Sequence, residues 1–305
     1  MNNISEHESN LFDLGRLIAY LVSKWKWFLV IGFVVAGVFA YISIDLPNQY
    51  TSEILLTEAD DETSGLDGMS GQLGGLASLA GINVGNSKKN KLVALQILKS
   101  RRFLVDFVKF NKLEVKLFAV KKWDITTDKY VYYEDKYDKE NGVWLQRADK
   151  PISYYPTDLE IHELVKSSLT VDMDTTNRVT KISFTSLNPN DAQLLLSKLI
   201  KTLNNELRQD DLSRGEKQIA FLQHQLELER NAGIRNVYYS LIEEQIKSLT
   251  LAKARNEYIF KVIDPAIFPE EKSSPKRALI TVLGGFIGGI LCFIFFSIRY
   301  LLKSN

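Results

Sequence analysis

Two stretches of the chain carry no charge at all. Trp27 to Ile44 reads WFLVIGFVVAGVFAYISI, 18 residues, and Ala278 to Ile298 reads ALITVLGGFIGGILCFIFFSI, 21 residues. As helices they would span ~27 and ~31 Å, which matches a hydrocarbon core of ~30 Å. Lys24, Trp25, Lys26 and Trp27 precede the first, and Tyr41 lies near its far end. Lys276 and Arg277 precede the second, and Arg299, Tyr300 and Lys303 follow it. Such Trp, Tyr and basic flanks suit a membrane interface. Asp45-Leu46-Pro47 does not supply the small-x-small site of a cleaved signal peptide. Two spans at opposite ends argue against buried helices of a soluble core.

The pattern between the spans changes several times. Gln49 to Glu58 alternates and is rich in β formers, which predicts a strand. Ala59 to Asn90 begins acidic and becomes rich in Gly and Ser. Leu66, Met69, Leu73, Leu76, Leu79 and Ile82 recur there at three-residue steps, with one step of four. The segment reads either as a surface loop or as an ordered stretch against a neighbouring subunit. Lys91 to Phe110 has helical spacing at Leu92, Leu95, Leu98, Phe103, Phe107 and Phe110. Val115 to Gln146 is aromatic and charged, with a hairpin turn expected at Asp138–Gly142. Its Trp123, Tyr130, Tyr132, Tyr133, Tyr137 and Trp144 read either as one face of a sheet or as a platform for stacking sugars.

Leu169–Asp174 and Val179–Ser186 alternate around Thr175-Thr176-Asn177, a second hairpin signal. Asn188-Pro189-Asn190-Asp191 then opens a long helical pattern. Leu195, Leu199, Leu203 and Leu207 follow at fours, and Ile219, Leu222 and Leu226 resume the face. The helix is expected over about 191–230, which is ~60 Å. A second helix is expected over about 234–255, with Asn231-Ala232-Gly233 between them. Gly215 is a weak point, costing ~1 kcal/mol relative to Ala. So long a helix is expected to project as an arm and pack on another arm or subunit. Tyr258–Ile263 reads as a returning strand. Pro265, Pro269 and Pro275 stiffen the approach to the second span. Inside that span, Gly284, Gly285, Gly288 and Gly289 form two overlapping G-x-x-x-G frames, which let helix backbones approach closely in lipid.

Orientation follows from the short flanks. Both are basic where they meet the spans, and two spans put both termini on one side, which the positive-inside rule makes the cytoplasm. The expected layout is therefore a cytoplasmic segment 1–26, spans 27–44 and 278–298, an extracytoplasmic region 45–277 and a cytoplasmic tail 299–305.

Composition changes the picture little until it is divided. The 305 residues hold 38 basic and 37 acidic side chains, a net charge of +1, which excludes a generally basic nucleic-acid binder. The mean hydropathy of −0.10 resembles that of a soluble enzyme, but none of the charges lies in either span. The region 45–277 holds 33 basic and 34 acidic residues, so it has no strong net attraction for an anionic polymer. The single cysteine, Cys292, lies in the second span, leaving the outer region indifferent to an oxidising compartment. The three histidines, His7, His162 and His224, form no metal-ligand spacing, and no G-x-S-x-G elbow occurs. No catalytic, cofactor-binding or metal-binding residue is expected.

The order of these elements resembles the Wzz family of polysaccharide co-polymerases. The resemblance is carried by LGGLASLAGI (73–82), ALQILKSRRFL (94–104), FTSLNPNDAQLLLSKLI (184–200), the proline segment and the glycine-rich span. It implies an α+β periplasmic domain with a membrane-proximal α/β base and a long helical arm. It also implies a homo-oligomeric ring in the bacterial inner membrane. Such a ring is non-catalytic and acts with a Wzy-type polymerase on undecaprenyl-pyrophosphate-linked glycan, O-antigen foremost, to set its modal length. No G-x-x-x-x-G-K-S/T loop is present and seven residues follow the second span, which favours the kinase-free type. Two alternatives remain: a scaffold for capsule or exopolysaccharide export working with a separate tyrosine kinase, and a membrane-anchored glycan-processing enzyme. A sensor is disfavoured because the cytoplasmic segments are short.

Overall fold

The computed structural model describes residues 20–59, 87–147, 153–174, 176–255 and 257–304. The Gly/Ser-rich segment with Leu66 to Ile82, and His7, lie outside the described residues. The chain divides into two units, Met1–Asn48 with Ser273–Asn305, and Gln49–Lys272.

The first unit is a helix pair, α1 (Trp25–Asp45) and α7 (Arg277–Ser304). Both are long and apolar enough to cross a membrane. A core helix of a soluble protein would be largely covered. Here only 6% of the most apolar stretch of α1 and 22% of that of α7 is buried, so each helix hides one stripe and leaves the rest apolar and open. That distribution suits lipid as the surrounding solvent.

The second unit is built on a four-stranded antiparallel sheet in the order β6-β7-β1-β8. The strands are β1 (Tyr50–Glu58), β6 (Leu169–Asp174), β7 (Val179–Ser186) and β8 (Phe260–Asp264). β1 pairs with β7 from Tyr50↔Ser186 to Thr57↔Val179 and with β8 on its other side. Alternation then sorts the side chains. Ile54, Leu56, Ile182, Phe184 and Phe260 point into the core, while Thr51–Thr185 and Glu53–Lys181 pair across the solvated face at 2.9 and 2.6 Å.

Helices cover the apolar face. Lys91 to Phe110 is not one helix. It is α2 (Ser87–Leu98) and α3 (Arg101–Phe110), separated where the Ser100 hydroxyl accepts from the Phe103 N–H and caps the second. Leu95, Leu98, Phe103 and Phe107 are buried on either side of the break, while Leu92 is half exposed and Phe110 is 88% exposed. α4 (Asp158–Ser168) follows later and adds Ile161 and Val165 to the core.

α5 (Pro189–Leu228) is the long helix. Asn188 caps it by accepting from the Asn190 N–H, and Pro189 fills the first turn, where its missing N–H costs nothing. Its N-terminal half does bury itself on the sheet, through Leu195, Leu196, Leu199, Ile200 and Leu203. Its C-terminal half pairs with α6 (Ala232–Ala254) of the same chain, so the arm is an antiparallel helical hairpin. The first partner of the long helix is therefore internal. At the tip, Arg235 donates to the Leu226 and Glu229 carbonyls, and Asn231 caps α6 through the Gly233 N–H.

Candidate assembly surfaces

The helix pair of the first unit is joined by glycines. A Cβ added at Gly288 would lie 3.0 Å from Gly32 Cα, 3.0 Å from Val35 Cβ and 3.2 Å from the Ile31 carbonyl oxygen. One added at Gly284 would lie 2.7 Å from Phe39 Cβ and Cγ. These two glycines therefore form the face that meets α1. Gly285 and Gly289 sit one position round the helix. A Cβ at Gly285 would make ordinary contacts with α1, 3.7 Å from Ala36 Cβ and 3.9 Å from the Gly32 carbonyl oxygen, and Gly289 has nothing within 4 Å. They line an open apolar groove of about 610 Å³ with Phe28, Phe286 and Phe293. The two nested frames thus face different ways.

Past the glycines, Cys292 and Phe296 pack on Leu21, with Tyr20, Phe28 and Ile31 around them. At the other end of the pair, the Arg277 guanidinium donates to the Leu46 carbonyl and Asn48 Oδ1 at 3.4 and 3.2 Å.

The proline segment belongs to both units. After β8, residues 265–268 run along β1. The Ile267 N–H donates to the Glu53 carbonyl at 3.1 Å, the Ser52 hydroxyl donates to the Ile267 carbonyl at 2.7 Å, and Gln193 donates to the Ala266 carbonyl at 2.8 Å. Pro265 thus opens a stretch held extended by three hydrogen bonds. Pro269 closes the second unit's side, and Pro275 stands two residues before α7.

On the arm, Gly215 is the point of closest approach. A Cβ there would lie 2.5 Å from Leu249 Cδ2 and 2.6 Å from Gln245 Nε2. Leu212, Leu249 and Ala252 form a small core around it, and Tyr258 donates to Asp211 at 2.7 Å. Further out the arm is sparsely covered: Phe221, Leu228, Ile234 and Tyr239 are exposed. An apolar strip of this kind on a projecting hairpin is a candidate contact surface.

The aromatic segment folds as two small hairpins preceded by a π-helical turn (Val115–Ala119). β2 (Val120–Asp124) pairs with β3 (Lys129–Tyr132), and β4 (Tyr137–Asp138) pairs with β5 (Val143–Trp144). The register sets Trp123 opposite Tyr130 and Tyr137 opposite Trp144. Rings then follow one another from Tyr130 through Tyr132, Tyr137 and Trp144 to Tyr155 at centroid spacings of 6.5, 5.8, 5.3 and 5.9 Å.

Asp191, in the first turn of α5, anchors this segment. Its carboxylate accepts from Lys116 Nζ and from the Tyr130 hydroxyl, both at 2.6 Å. Burial, reinforced by the neighbouring Asp191 charge, pushes the Tyr130 phenol well above its ordinary pKa. Asn204, buried on the apolar face of α5, holds the start of β8 through the Phe260 carbonyl and the Ile259 and Phe260 N–H groups. Asn204 is a polar interruption of the apolar stripe of α5, a signal the sequence carries, whereas Asp191 reads in the sequence only as part of the helix start. No group of three metal-ligating side chains occurs among the described residues. The His162 ring contacts the Lys99 carbonyl at 3.2 Å.

Two family models match the chain. Residues 10–109 match the chain length determinant protein model, Wzz. Residues 221–301 match a model described as a G-rich domain on putative tyrosine kinase. The chain therefore carries a chain length determinant domain at its N-terminal end and a G-rich domain toward its C-terminal end. The first match begins before α1, takes in that helix and β1, and ends at α3; the second match runs from the outer part of α5 through α6 and β8 into α7.

No curated protein matches the chain. Among solved structures it is similar to a full-length bacterial polysaccharide co-polymerase, at 13% identity and a TM-score of 0.37 over 97% of this chain and 99% of that one. It is also similar to a fragment of WzzB, a polysaccharide co-polymerase from Salmonella Typhimurium. There the identity is 15% and the TM-score 0.32, over 74% of this chain and 100% of that one.

Proposed function

We propose that the protein is a non-catalytic polysaccharide co-polymerase of the bacterial inner membrane. It sets the modal length of a lipid-linked surface polysaccharide, O-antigen foremost, that a Wzy-type polymerase extends on undecaprenyl-pyrophosphate. Both termini lie in the cytoplasm, and the unit Gln49–Lys272 lies in the periplasm. Copies assemble into a ring, with the exposed apolar strip of the arm and the outward glycines Gly285 and Gly289 as contact surfaces. The observation that carries the reading is the chain length determinant match of residues 10–109. The helix pair with uncovered apolar faces supports the membrane placement.

A second reading is favoured by the match of residues 221–301 to a domain described on putative tyrosine kinases. In that reading the chain scaffolds capsule or exopolysaccharide export and works with a separate kinase. One experiment addresses both. Deleting the gene should broaden or shift the length distribution of surface polysaccharide on a silver-stained gel while synthesis continues. Unchanged banding refutes chain-length control. A change in capsule with unaltered lipopolysaccharide selects the second reading.

A further inference from the structure

We propose that Tyr132, Tyr137 and Trp144 form a contact site for the polysaccharide chain itself. The proposal rests on the chain-length reading and deepens it by naming where glycan touches this protein.

The argument begins with what holds the aromatic row and what does not. Both ends are tied down. Trp123 Nε1 donates to Asp128 at 2.9 Å, the Tyr130 hydroxyl to Asp191 at 2.6 Å, and the Tyr155 hydroxyl to Glu114 at 2.9 Å. The centre is different. The hydroxyls of Tyr132 and Tyr137 and the indole N–H of Trp144 have no protein partner among the described residues, and none is a buried unsatisfied atom. They are unpaired donors on rings that are themselves half buried, and the flexible Lys139 Nζ lies 5.5 Å from the Tyr132 ring centroid. Buried Tyr and Trp normally engage their polar atom; half-buried rings with free donors are the composition of a recognition surface. The fixed ends keep the rings in place before anything binds, which lowers the ordering cost of binding.

The chemistry of the occupant follows from the same features. It must offer apolar patches to ring faces and acceptors to three separated donors, repeated along a line. A polysaccharide does so, with C–H faces and hydroxyl oxygens in every unit. Charge points the same way. The region 45–277 is balanced at 33 basic and 34 acidic residues, so recognition must be local and polar. A lipid surface would call for a basic face, and another copy of the chain would be expected to engage the free donors through its own acceptors.

The test uses full-length protein in nanodiscs with Trp25 and Trp27 changed to Phe, which keeps the anchored Trp123, and assigns to Trp144 the part of the fluorescence response that Trp144→Phe removes. The probe is O-polysaccharide released by mild acid from the host's own lipopolysaccharide. Saturable quenching of Trp144 is expected. Tyr132→Phe and Tyr137→Phe remove donors that bond to nothing among the described residues, so folding is preserved, and each should weaken binding about fivefold. Trp144→Ala, read by saturation-transfer NMR, should weaken it roughly tenfold or more. No response to polysaccharide, a response to phosphatidylglycerol vesicles in its place, or loss of oligomer in the Phe variants would overturn the proposal. Failure here alongside an altered length distribution in the deletion strain sinks the site alone. An unaltered distribution sinks the reading beneath it.

Discussion

Gly215 gives the sharpest test of the arm, because two physical readings predict opposite signs. A glycine in mid-helix costs ~1 kcal/mol relative to alanine when nothing else constrains it. On that basis Gly215→Ala would stabilise the protein by about 1 kcal/mol. The structure adds a second term. The new methyl would fall 2.5 Å from Leu249 Cδ2 and 3.1 Å from Leu249 Cγ, and 2.6 Å from Gln245 Nε2. Gln245 is partly exposed and its amide can swing away. Leu249 is buried between Leu212 and Ala252 and cannot. Overpacking a closed site costs ~1–3 kcal/mol. The net effect is destabilisation of about 1 kcal/mol. For a unit of this size that lowers the melting temperature by roughly 2–4 °C. The control is the same change in a Leu249→Ala background. There the obstructing side chain is gone, the propensity term acts alone, and Gly215→Ala should raise the melting temperature. Thermal unfolding of the four proteins in one detergent closes the cycle. A rise on Gly215→Ala in the wild-type background refutes the close approach.

Gly288→Leu should separate α1 from α7, because its neighbours are backbone and a β-carbon that cannot yield, whereas Gly289→Leu should leave the pair intact; cysteine cross-linking between the two helices in membranes distinguishes them. Thr157→Ala should cost about 1 kcal/mol, since Thr157 and Glu160 cap α4 reciprocally, and its melting curve should shift accordingly. Hydrogen bonding from the Thr157 N–H holds the Glu160 carboxyl below the usual carboxylate range, so its contribution is complete at neutral pH and lost as pH falls through the depressed value. Glu160→Gln should therefore flatten the acid limb of stability against pH, and an unchanged limb would show that the cap carries no charge-dependent term.

Parts of this fold were legible because one chemical demand acts on a continuous stretch of sequence. Lipid tolerates no charge over some 20 residues, so both membrane-capable helices stand out. Asn188-Pro189 announces a helix start wherever it folds, and the alternating pairs around Thr175–Asn177 place β6 and β7. Other parts depend on partners far away in sequence. The break at Ser100 is invisible to spacing, because Leu95, Leu98, Phe103 and Phe107 continue one helical rhythm across it. α4 is legible in principle, since Thr157-x-x-Glu160 is a local capping signal and Ile161, Leu164 and Val165 keep helical spacing, but over 11 residues that pattern is too short to stand out. Gly215 read as a flaw because Leu249, which explains it, lies on the returning helix. Asn204 and Asp191 gain meaning only once β8 and the aromatic hairpins reach them.

The glycines of α7 show how far one residue type can be divided by geometry. Each residue of the nested frames weakens an isolated helix in the same way. Gly284 and Gly288 recover that loss inside the chain, because α1 lies against them, with Phe39 crowding the space a methyl group would take at Gly284 and Gly32 Cα and Val35 crowding it at Gly288. Gly285 and Gly289 recover little or nothing there, since they face the open groove beside Phe286 and Phe293. In water such a groove would be driven shut by the hydrophobic effect. In lipid that force is absent, and only close packing against another helix or chain favours filling it. The inner frame is thus accounted for by one protomer. The outer frame is left facing the open groove, and in the proposed assembly it would serve as a contact surface.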